Sequence, residues 1–78
     1  MKNYTVFVGY DIPLALEVKH SQVLPLFDQH FTPHELEGDM VHIVPESEME
    51  KAEEIIENYN EKYDIGLTCD FEEYEKHK

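Results

Sequence analysis

Apolar and polar positions along this chain change period several times, and each change marks an element. From Pro45 to Asp64, Met49, Ala52, Ile56, Tyr59 and Tyr63 recur every three or four residues, and Ile55 widens the stripe. That spacing predicts a helix buried along one face. Ser47 and Glu50 have the spacing of a capping box at its start. Tyr4 to Tyr10 is rich in β-branched and aromatic residues and predicts a strand covered on both faces. Met40 to Val44 predicts a short strand that Pro45 ends. Ile65, Leu67, Cys69 and Phe71 alternate with Gly66, Thr68 and Asp70, which predicts a last strand with those four residues inward.

Other stretches carry competing signals. Leu14, Leu16 and Val18 alternate with Ala15, Glu17 and Lys19, so a strand hairpinned onto the first through Asp11-Ile12-Pro13 is the preferred reading. The competing reading has Asp11 capping a helix with Pro13 in its first turn. Ser21 can cap a helix through Phe31 with Val23, Leu24, Phe27 and Phe31 as its stripe and Pro25 in the first turn. Thr32-Pro33-His34-Glu35 again fits a capping box, which predicts one helical turn ending at Gly38. The order strand, strand, helix, strand, helix, strand implies an α+β fold: a small sheet of three to four strands with two helices packed on one face. Residues 1–72 are expected to form one acidic domain and residues 73–78 a frayed tail. Met40 to Phe71 is long enough for a β-α-β crossover between parallel strands.

Charge changes the picture more than hydrophobicity does. Eighteen acids face six bases, all lysine, for a net −12. Residues 1–34 hold three acids against two lysines, a net −1, whereas residues 35–78 hold fifteen acids against four lysines, a net −11. Bulk electrostatics then excludes direct binding to nucleic acid or to an anionic membrane. The single cysteine makes no internal disulfide, and no apolar run approaches the length of a membrane span, so a cytoplasmic setting is expected.

Candidate chemistry narrows quickly. His30, His34, Asp39 and His42 offer zinc-type ligands, but Thr32-Pro33 breaks the helix that would align the first two histidines, and no metal is expected. Cys69 falls on the inward face of its strand, the place of a packed thiol and not of a nucleophile. The three glycines form no phosphate loop. No catalytic residues, no cofactor and no enzymatic activity are expected.

The acidic flank of the long helix remains. Glu46, Glu50, Glu53, Glu57 and Glu61 follow one another at three or four residues, and like charges at that spacing cost the helix a few tenths of a kcal/mol per pair, roughly. A net charge of about 2 to 8 already keeps a small domain soluble. Carboxylates spaced about 5 to 6 Å apart at Cβ are comparable with phosphates along a nucleic-acid strand. The expectation is a non-enzymatic inhibitor or modulator that mimics the DNA or RNA phosphate backbone and binds a basic nucleic-acid-binding protein of a host. Glu46, Glu50, Glu53, Glu54, Glu57, Glu61, Asp64, Glu72 and Glu73 would form its surface. Composition suits a phage-encoded protein from an AT-rich genome. The alternative is an interaction module, a homodimer among its forms, that uses apolar positions such as Tyr10 or Tyr74 while acidity serves only solubility.

Overall fold

The structure, a computed structural model, describes residues 2–74. Strand β1 (Asn3–Gly9) leads into helix α1 (Pro13–Val18), a π-helical turn (Lys19–Val23) and helix α2 (Leu24–His30). Strands β2 (Thr32–Leu36) and β3 (Asp39–Pro45) follow, then a 3-10 turn (Glu46–Glu48), helix α3 (Met49–Tyr63) and strand β4 (Thr68–Tyr74). The four strands make one antiparallel sheet in the order β2-β3-β1-β4. In that order β1 lies between the parallel strands β3 and β4, and β3 lies between the parallel strands β1 and β2. Two split β-α-β units therefore interlock, the connectivity of a ferredoxin-like sandwich.

Both helical layers pack on the same face of the sheet, so the α+β class and the one-sided arrangement hold. Val6 and Val8 of β1 and Val44 of β3 meet Ala15, Val18, Val23, Phe27, Ala52, Ile55 and Ile56 in one buried cluster. Ile65 and Leu67 close it from the α3–β4 connection. Phe27 is fully buried and meets Phe31 and His42 edge-on, at ring separations of 5.3 and 5.5 Å. His42 is buried too, and its Nε2 lies 2.7 Å from Asp28 Oδ1.

Several expectations are corrected. Residues 14–19 are helical, because the buried residues there are Ala15 and Val18 while Leu14 stays exposed. The alternation of larger side chains was misleading. Asp11 does not cap this helix, which begins after Ile12 with Pro13 in its first turn; its carboxylate accepts the backbone N–H of Gly66 at 3.0 Å. Thr32 to Leu36 is a strand and not a helical turn. Leu36 pairs with Asp39 across Glu37 and Gly38, whose φ values of 52° and 87° match the sign pattern of a type I′ hairpin turn. Thr68 to Tyr74 forms the last strand, and Ile65 to Leu67 precede it as irregular but buried chain. β4 thus runs through Glu72, Glu73 and Tyr74, into the segment expected to fray, and residues 75–78 of that segment lie outside the described residues.

The helix expected from Ser21 is also longer than its cap implied. Helical backbone is continuous from Pro13 to His30, which places Pro25 inside it. Proline has no N–H to donate and its ring crowds the carbonyl four residues back. One π turn just before it absorbs the misfit, with the N–H of Leu24 reaching the carbonyl of Lys19. Ser21 caps nothing; its hydroxyl donates to the Glu17 carbonyl at 2.7 Å.

The face of the sheet away from the helices is not bare. His34 on β2 and Tyr74 on β4 come from opposite edges, yet their rings meet edge-on at 5.3 Å. Val41 and Thr5 are each only 3% exposed, although neither belongs to the core cluster under the helices.

Candidate functional site

Helix α3 buries Ala52, Ile55 and Ile56 and half-buries Met49, Tyr59 and Tyr63, so the stripe predicted from spacing is the one that packs. Its outer arc presents Glu50, Glu53, Glu54, Glu57 and Glu61, all exposed. Lys51 and Lys62 fall on the other flank by helical geometry. Among the described residues no lysine forms an ion pair with any of these glutamates; the pairs are Lys2 with Glu73 at 3.4 Å and His42 with Asp28.

A groove of about 470 Å³ runs between α3 and β4. Glu50, Glu53, Glu54 and Glu57 line one wall, while Ile56, Leu67 and Cys69 supply apolar surface and Asn60 stands at one end. One side chain ties this wall to the chain that leads into β4. Asn60 donates to the Leu67 carbonyl at 2.9 Å and accepts the Leu67 N–H at 2.7 Å, in the manner of a ladder pair. From π turn to helix, Gln22 and Tyr63 also exchange hydrogen bonds, at 2.8 and 3.0 Å.

The predicted site residues do not form one row. Glu50, Glu53, Glu54 and Glu57 share the groove. Glu61 continues the arc beyond it, and Glu46 stands before the α-helix in the 3-10 turn, with its backbone N–H bonded to the Lys2 carbonyl. Asp64 ends α3 in the left-handed region, at φ 54° and ψ 53°. Glu72 and Glu73 are neighbours on a strand and so point to opposite faces: Glu72 sits opposite Thr5, and Glu73, opposite Tyr4, engages Lys2. The Ser47–Glu50 capping box does not form, since Glu48 is the residue before α3 and makes no side-chain cap.

Cys69 is half-buried on the floor of the groove. Burial, then the charges of Glu53 and Asp70, push its thiol up to about 12. It therefore stays protonated at neutral pH, when a thiolate is what attacks or ligates. His30, His34 and His42 are dispersed between α2, β2 and the buried side of β3, and no three His, Cys, Asp or Glu among the described residues come together as metal ligands. A second cleft, of about 320 Å³, lies between β1, β3 and the π turn and mixes Lys19 and His20 with Asp39 and Met40. No helix of the described residues is long and apolar enough to cross a membrane.

Asn60 and Leu67 were not among the predicted site residues. An asparagine just before a helix end carries no special period, and its partner lies across a turn whose geometry spacing does not reveal. No protein-family model, no curated protein and no solved structure matches the chain.

Proposed function

We propose that this protein is a non-enzymatic inhibitor or modulator that binds a basic nucleic-acid-binding protein, with its carboxylates taking the place of phosphates. The observation that carries this reading is the groove wall of Glu50, Glu53, Glu54 and Glu57, exposed together without a lysine partner among the described residues. A helix fixes where these carboxylates attach, so the backbone needs no reordering to meet a basic surface and only side-chain freedom is lost at the contact. The net charge of −12 steers such a partner from a distance. The proposed setting is the cytoplasm of a phage-infected host.

The test is capture of host proteins on the immobilised chain at low and high salt, followed by competition with double-stranded DNA and with RNA. Nucleic-acid-binding proteins should be retained at low salt and released by salt or by nucleic acid. Reversing charge at Glu50, Glu53 and Glu57 together should abolish retention while leaving the circular dichroism spectrum intact. Retention that ignores salt, competitor and charge reversal alike would defeat the reading.

A second reading has one observation in its favour. Tyr10, Ile12 and Leu14 are 52%, 41% and 45% exposed around the start of α1, in the nearly neutral part of the chain. Such a patch suits an apolar partner or a second copy. Association through it would be insensitive to salt and would be lost in Tyr10→Ser. Tyr74 fits this reading less well, since its ring is engaged with His34.

A further inference from the structure

Resting on the reading of the acidic flank as a surface for a basic protein, we infer that the partner is held as an added strand. An extended segment with lysine or arginine at alternate positions pairs with the outer edge of β4, and its basic side chains enter the groove beside α3. The two edges of the sheet differ in a way that selects this one. β2 is the shorter edge, and Pro33 within it has no N–H to offer a neighbouring strand. β4 contains seven residues, no proline and no glycine, and among the described residues its only neighbour is β1. An edge of this kind is a template for strand addition.

Charge decides what the template accepts. Pairing two β4 edges would set Asp70, Glu72 and Glu73 of one copy against the same residues of another, so a second copy is repelled. A basic strand meets the opposite condition on both faces. Its groove-side residues can lay their aliphatic stems on Leu67, Cys69 and Ile56 and reach the glutamates with their charged ends. Spacing permits this over a short length. Side chains on one face of a strand recur every ~6.6 to 6.8 Å, and glutamates three or four residues apart on a helix rise by about 4.5 to 6 Å. Two or three basic side chains thus meet successive carboxylates before the mismatch accumulates.

The test uses an acetylated and amidated heptapeptide alternating lysine and threonine, and the same peptide N-methylated at every internal residue. Methylation keeps the charge and removes the backbone donors. At low salt the unmodified peptide should bind, shift the backbone amide resonances of Thr68 to Tyr74 and slow their hydrogen exchange. The methylated peptide should bind at least tenfold more weakly. Equal binding of the two peptides, perturbations that avoid β4, or no binding of the unmodified peptide would overturn strand addition. The underlying reading fails separately, if reversing Glu50, Glu53 and Glu57 leaves peptide binding unchanged.

Discussion

Cys69 and Asn60 both line the groove and owe their properties to different physics. The Cys69 thiol is raised by its surroundings, so its reaction with iodoacetamide at neutral pH should be much slower than that of the unfolded chain. Glu53→Gln removes one of the charges that raise it and should speed that reaction. The sign of the stability effect follows from proton binding. Between the ordinary thiol value of 9.0 and about 12 the folded chain holds a proton that the unfolded chain has lost. Stability therefore falls as pH rises through that window. Asn60 acts through two hydrogen bonds to Leu67, which is itself 4% exposed. Asn60→Ala strands the Leu67 amide and should cost about 1 to 3 kcal/mol by urea denaturation. The glutamates were legible in the sequence because helical spacing alone places them on a flank. The Asn60 clamp was not, because it depends on how the chain turns after Asp64.

Among the elements, β1 and β3, read from strand-forming residues, and α3, read from its apolar stripe, were identified correctly, apart from the capping box of α3. The failures came where a local signal was genuine but outweighed. Thr32 and Glu35 have capping-box spacing, yet Phe31 is buried against Phe27 and directs the chain back along β3, where ladder pairing wins. The π turn left a trace that period counting overlooked. Buried positions run Ala15, Val18, Val23 and Phe27, and the step from Val18 to Val23 is one residue longer than an α-helix would use. That extra residue keeps α1 and α2 in phase on the same core. The hairpin turn offers a test at this scale. Glu37 adopts a left-handed conformation that costs an ordinary L-residue about 1 to 2 kcal/mol. Asparagine tolerates it and makes the favoured Asn-Gly turn, so Glu37→Asn should stabilise the protein by up to about 1 kcal/mol in thermal or urea unfolding.

At the scale of the whole molecule, the order of the sheet has a consequence for how the chain folds. Along β2-β3-β1-β4, strands from before and after the Glu37–Gly38 turn alternate. All three strand ladders, β1 with β3, β1 with β4 and β2 with β3, join one half to the other. Among the described residues neither half contains a strand pair of its own. The β2–β3 hairpin is local, but the β1–β3 and β1–β4 ladders join residues far apart in sequence and delay folding, since chain entropy is lost before pairing compensates it. Two peptides separated at that turn should each be largely unstructured alone. Mixed in equal amounts they should recover the sheet, seen by circular dichroism as a signal greater than the sum of the parts. A chain interleaved in this way is a natural split reporter: its halves are silent apart and become one protein only on meeting.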